Sequence, residues 1–186
     1  MRVLPGMTVL SPCDYRQALD MVLQMKDMDQ PAYIRMSRHP VETVTKEGSH
    51  TEIGKIDVLR EGGDVCFTAT GVMVAQALHA AEALEEKGIH AAVLNVHTIK
   101  PLDKETLIRY GKSCGCMVTA EEHSVIGGLG SAVAEVLSEC GGCRLKRVGI
   151  QDKFGQSGDL GELMESYGLT AENLIETALK LMEEDK

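Results

Sequence analysis

Four cysteines fall in two close pairs, Cys114-Gly-Cys116 and Cys140-Gly-Gly-Cys143. Thiolates at short spacing bind zinc or act as a redox couple. If the two segments lie on neighbouring parallel strands, all four thiols meet at one sheet edge as a candidate zinc site. The C-x-C half lacks zinc-knuckle spacing, so unliganded thiols at a rim are the plainer reading. A second group is "EEHSVIGGLGSA", Glu121 to Ala132, between an apolar run and a helical pattern. Glycine-rich turns that open a helix can hold phosphate on free amides. The dinucleotide fingerprint needs G-x-G-x-x-G; Gly128 and Gly130 fit, but the third position is Val133. No Lys-Ser or Lys-Thr follows the glycines, so it is not a P-loop either. The spacing points instead to Gly127, Gly128 and Gly130 letting a helix start steeply and pack closely. Glu121, Glu122 and His123, with His97 past another strand end, could shuttle protons. They could equally form a polar rim that caps the helix and pairs across an interface. A third group, "YIRMSRHP", sets Arg35, Arg38 and His39 at and just past a strand end. Arg38 there is free to reach a ligand, and a guanidinium fork suits phosphate. A solvated pair answering local acids is the alternative.

The elements that must position these groups follow from periodicity. Met7 to Pro12 reads as a strand, Ser11-Pro12-Cys13-Asp14 as a helix start capped by Ser11, and Pro31 to Met36 as a second strand. Tyr15, Ala18, Leu19, Val22 and Leu23 recur at helical spacing and form one apolar face. This βαβ unit cannot cover both faces of its sheet alone. His39 to Glu52 is polar and aperiodic, a linker. Lys55 to Leu59 reads as an edge strand, Asp64 to Thr70, Ala91 to Val96, Cys116 to Ala120 and Arg144 to Ile150 as further strands. Helices are expected over 72–87, from Asp103 to about Tyr110, from Leu129, and after Thr170. Continuous apolar strands alternating with helices predict a three-layer α/β/α sandwich on a mostly parallel sheet.

Composition narrows the class. The chain has 186 residues, 44% hydrophobic but only 3% aromatic, so its core is aliphatic. A formal net charge of -9, with both signs interspersed, offers no nucleic-acid surface. No apolar run approaches a membrane span or a signal peptide. With its six cysteines read as reduced thiols, the chain is expected to be soluble and cytoplasmic.

Five segments in order, "LPGMTVLSPCD", "PAYIRMSR", "VHTIKPLD", "VTAEEHSVIGGLGSAVAEVL" and "FGQSGDLGELMESYGLT", resemble the C-terminal third of transketolases. They are similar, more loosely, to 1-deoxyxylulose-5-phosphate synthases and to 2-oxo acid dehydrogenase β subunits. The resemblance covers nearly the whole chain. It implies that residues 1–46 are the incomplete tail of a pyrimidine-binding domain, 47–52 a linker and 53–186 a complete C-terminal domain. That domain is expected to carry a five-stranded sheet with one antiparallel edge strand, which suits Lys55 to Leu59.

The complete enzymes use thiamine diphosphate and Mg to move a two-carbon ketol unit between sugar phosphates, as in the pentose phosphate pathway. The family's cofactor-activating glutamate, its ring-stacking aromatic and several substrate histidines lie upstream of Met1. Its G-D-G metal motif has no counterpart; Gly62-Gly63-Asp64 is not it. The resemblance thus implies no catalytic residue here, no cofactor on this chain alone, and no activity without an N-terminal section or missing upstream segment. The arginine of the family's "SR" holds the substrate's terminal phosphate, and Arg38 matches it. "EEHSVIGGLGSA" is implied to serve packing and subunit contact, and the chain to form a homo-oligomer. Met1-Arg2 falls where transketolases have an internal Met-Arg, which suits a truncated chain. The alternative is a non-catalytic assembly module that docks a partner chain or a small ligand at the His97, Glu122 and His123 rim.

Overall fold

The computed structural model describes residues 1–183. Eight strands and six helices run in the order β1 (Thr8–Leu10), α1 (Tyr15–Met25), β2 (Ala32–Ile34), β3 (Asp57–Arg60), β4 (Val65–Ala69), α2 (Met73–Glu85), β5 (Ala91–Asn95), β6 (Thr98–Lys100), α3 (Lys104–Cys114), β7 (Cys116–Ser124), α4 (Leu129–Cys140), β8 (Arg144–Ile150), α5 (Leu160–Ser166) and α6 (Ala171–Glu183). The larger sheet has the order β3-β5-β4-β7-β8. Only β3 is antiparallel to its neighbour, so the expected five-stranded sheet with an antiparallel edge is present.

Period-two alternation divides this sheet's side chains between two cores. Val65, Phe67 and Ala69 join α2 and α6 on one face. Cys66, Ala92, Leu94 and Met117 join α3 and α4 on the other. All five residues of β4 are buried, which is why its sequence is an unbroken apolar run closed by Thr-Ala. Gly62 is obligatory where the chain enters β4. A Cβ there would stand 2.3 Å from the Ala91 carbonyl carbon, so the chain could not cross the start of β5.

The smaller sheet, β2-β1-β6, supplies what the βαβ unit lacked. β6 pairs antiparallel with β1, matching Val9 to Lys100 and Leu10 to Thr98. The amino-terminal segment is also tied down. Arg2 places a two-armed fork on Glu135 of α4 at 2.7 and 2.6 Å, and Lys100 Nζ donates to the Arg2 and Leu4 carbonyls at 3.0 and 2.6 Å.

One expectation about α1 needs correction. Its cap is Asp14, not Ser11: the Asp14 carboxylate accepts the Gln17 amide at 3.0 Å. The periodic apolar face is real but points outward. Tyr15, Leu19, Val22 and Leu23 are 46–61% exposed, while Gln17 and Met21 are the buried residues of the helix. Inward, Gln17 reaches Asp57 at 3.1 Å, Asp20 accepts the Thr51 amide at 2.6 Å and Gln24 donates to the Thr51 carbonyl at 2.7 Å. Polar side chains thus bind α1 to the 51–57 segment, and its apolar stripe is left to face something else. Among the described residues no helix is long and apolar enough to cross a membrane.

Candidate functional site

The glycine-rich corner does bind an anion, but the anion is its own. β7 runs four residues beyond the expected Ala120 and carries Glu121 into the interior, where it is 1% exposed. Its carboxylate accepts the amides of Leu129 and Gly130 at 2.7 Å each, closing the amino terminus of α4. α4 has no side-chain cap of its own. Gly128 makes room: a Cβ there would lie 2.0 Å from Glu121 Oε2. Gly130 lets Thr119 and Arg147 approach, since its Cβ would stand 2.8 Å from both side chains. Burial pushes the Glu121 carboxyl above its ordinary range, against the pull of the two amides.

Glu122 and His123 sit at the rim beside it. The Arg35 guanidinium donates to the Glu122 carbonyl and stands 3.8 Å from its carboxylate. His123 Nδ1 lies 2.9 Å from the Ser124 carbonyl oxygen and 3.8 Å from Glu121. His97 is not part of this rim. It is fully buried, with Nδ1 3.0 Å from Thr98 Oγ1 and Nε2 3.6 Å from Asp57 Oδ2. The strand end that carries it is covered by β1, whose neighbour Ser11 donates its amide to the His97 carbonyl at 2.8 Å. A shared His97/His123 acid–base pair is therefore absent.

Next to His97 lies a buried polar junction that sequence reasoning missed. Asn95 Nδ2 donates to Gln17 Oε1 at 3.2 Å and contacts the Cys13 sulfur at 3.4 Å; Cys13 also donates its amide to Gln17 at 2.9 Å. Burial pushes the Cys13 thiol up to about 12. Asp14 extends this junction to the linker, where its second oxygen accepts the Val44 and Thr45 amides and the Thr45 hydroxyl at 2.7–2.9 Å. Burial opposes its charge, but these bonds outweigh it and hold Asp14 below the usual carboxylate range.

Arg38 is exposed in the segment after β2. Its neighbours Ser37 and His39 line a groove of about 430 Å³ between that segment and the start of α1. Among the described residues Arg38 makes no ion pair, so its guanidinium can turn to an anionic ligand.

The paired cysteines come together only in part. β7 and β8 are parallel neighbours with Cys116 opposite Arg144, as the edge argument required. Cys114, Cys116 and Cys143 lie near one another, and Cys66 of β4 joins them, near enough for their charged forms to repel. Cys140 is exposed at the far end of α4. All six cysteines are free, and among the described residues no three His, Cys, Asp or Glu side chains are grouped to hold a metal. Cys116 and Cys143 aim at the carbonyls of Asp64 and Arg144, at 3.3 and 3.5 Å. Burial pushes Cys143 up to about 11, which opposes the thiolate that zinc or redox chemistry requires.

The residues that might mimic a diphosphate–metal motif are structural. Gly62 packs on the β5 backbone, and Asp64 accepts the His90 amide at 2.7 Å. Thiamine diphosphate and its metal therefore find no fitting set in Gly62-Gly63-Asp64.

Comparison with known proteins places this arrangement. The family described as "Transketolase, C-terminal domain" matches residues 54–174. A 6-deoxy-6-sulfo-D-fructose transketolase subunit, SqwH, of Clostridium sp. (strain MSTE9) is 48% identical over 98% of this chain and 57% of its own length. A 1-deoxy-D-xylulose-5-phosphate synthase of Heliobacterium modesticaldum is 38% identical over 100% of this chain and 29% of its own. A solved structure described as "Split gene transketolase, inactive beta4 tetramer" superposes with a TM-score of 0.95 at 45% identity, over 98% of this chain and 60% of that one. The chain thus spans 57% of one subunit's length and 60% of the other's. With the whole larger sheet and helices α2 to α5 inside the matched region, the chain belongs to the transketolase C-terminal domain family.

Proposed function

We propose that this chain is the C-terminal portion of a thiamine-diphosphate-dependent, transketolase-like enzyme that moves a two-carbon ketol unit between sugar phosphates. An upstream section completes it. In this reading residues 1–46 are the tail of a pyrimidine-binding domain, 47–52 the linker and 53–186 the C-terminal domain. The observation that carries it is the outward apolar face of α1, in a chain that covers 57% of its SqwH relative. That face is the interior side of a domain whose remainder lies on another section. The upstream section supplies the cofactor-activating glutamate and the metal motif, and the cofactor carries the ketol unit. This chain's own residues orient and support. Arg38, exposed and unpaired among the described residues, holds the anionic end of the sugar; a planar fork meets either a phosphate or a sulfonate. Asp14, Gln17 and Asn95 fix the preceding segment against the C-terminal domain. The six free thiols suit a reducing, cytoplasmic setting.

The test is reconstitution. The chain is co-expressed with an upstream transketolase section that carries the G-D-G motif. The pair should co-purify and transfer ketol units from a ketose phosphate when thiamine diphosphate and Mg are added. Turnover by the isolated chain, or failure of the two to associate, overturns the proposal.

A further inference from the structure

The far end of β7 is bulged. Its register on β8 slips between Ala120 and Ser124, where Glu121, Glu122 and His123 face Gly149 alone. A Cβ on Gly149 would stand 2.9 Å from the His123 carbonyl oxygen, so a side chain there would crowd the bulge. Bulges re-aim the groups they carry. Here Glu121 goes inward onto α4. The Glu122 carbonyl, in the same bulge, accepts a hydrogen bond from the Arg35 guanidinium across the seam between the two sheets.

Arg35 is also the last residue held before the segment that carries Arg38. Its amide donates to the Leu10 carbonyl at 2.9 Å. Beyond it, among the described residues, Met36, Ser37 and Arg38 make no hydrogen bond outside their own segment, where the His39 amide meets Ser37 Oγ at 3.1 Å. The next holds come at Glu42, 3.2 Å from His79, and at Val44 and Thr45 on Asp14. A surface segment with so few ties takes its position from its anchors. Arg35 does not line the groove of Ser37 and His39, so its fork serves the anchor and not the groove.

We propose that Arg35 is a positioning residue: pinned on the Glu122 carbonyl, it fixes the Ser37-Arg38 segment so that the Arg38 guanidinium meets the anionic end of the sugar. The β7 bulge thereby gives the C-terminal domain a part in substrate selection. This rests on the reading of Arg38 as the anion-binding residue.

Steady-state kinetics of the chain reconstituted with its upstream section tests it. Arg35→Met keeps the length of the side chain and loses the donor. It should raise KM for a phosphorylated sugar by about fivefold or more, with kcat changed far less and an unphosphorylated sugar affected far less. Arg35→Lys keeps a donor for the carbonyl and should recover most of the loss. In an Arg38→Ala background, Arg35→Met should add almost nothing, because the two act through one contact. Co-purification with the upstream section checks that each variant folds. Equal losses on both sugars, additive losses in the double variant, or no loss in Arg35→Met would each overturn the inference. Arg38→Ala, run in parallel, separates the two ideas. If it does not discriminate between the sugars, the Arg38 reading falls and the inference with it. If it does and Arg35→Met does not, only the inference falls.

Discussion

Glu121 accepts the Gly130 amide at 2.7 Å, so the helix terminus that resembled a phosphate cradle is already occupied by a carboxylate from the preceding strand. Glu121→Ala should leave the Leu129 and Gly130 amides buried and unmet, at a cost of about 2–4 kcal/mol for two charge-assisted bonds. Gly128→Ala should expel the same carboxylate and cost a similar amount. Because both changes break one contact, the double variant should cost well under the sum. Urea unfolding of the four proteins measures this, and strict additivity would refute the shared contact.

Two carboxylates should shift acid stability in opposite senses. Glu121 is raised above 4.5, so its contribution is fullest below that pH and declines as pH rises through the folded value. Asp14 is lowered from 3.8, so its contribution is full above that pH and is lost as pH falls through the folded value. Stability profiles of Glu121→Gln and Asp14→Asn between pH 2 and 7 should therefore diverge from wild type on opposite sides.

The thiols should separate by reactivity in the folded protein. Cys140 is exposed, whereas burial raises Cys114 and takes Cys143 to about 11. One thiol per chain should react rapidly with an aromatic disulfide reagent, and the other five should need denaturant. Cys140→Ser should remove the fast phase.

On α1, Leu19→Ser should change the isolated chain's stability by less than about 0.5 kcal/mol, since Leu19 is 59% exposed. The same change should weaken binding to the upstream section by about tenfold or more, measured by titration calorimetry. A buried Leu at this site would show the reverse pattern.

For Arg38→Ala, reconstituted enzyme should lose about 10- to 100-fold in kcat/KM for phosphorylated sugars, the loss of one charged hydrogen-bond pair. An unphosphorylated sugar should be affected far less. Equal losses on both would assign Arg38 a structural role.

Much of the architecture was legible in the sequence. The run Val65–Ala69 announces a strand buried on both faces, and Arg144–Ile150 and Leu129 onward were bounded correctly. β6 and α5 were not foreseen. β6 is three residues long, and nothing in Thr98–Lys100 reveals that β1, ninety residues earlier, offers it an edge. The paired cysteines show a similar limit: spacing put three of the four together, but Cys66 joins them from β4 and Cys140 does not.

The sequence by itself determined the larger sheet, because burial on two faces leaves a continuous apolar signature that short-range spacing can carry. It also determined that α1 is amphipathic. Only the tertiary structure decided which way α1 faces. Periodicity defines a stripe, but whether the stripe points in depends on which side finds partners. Here Gln17, Asp20 and Gln24 find Asp57 and Thr51, and the apolar side is left outward. The same holds for the glycine corner. Its glycines predicted a tight helix start, but that Glu121 would be the anion inside it required the strand to run on past Ala120 and turn that side chain inward.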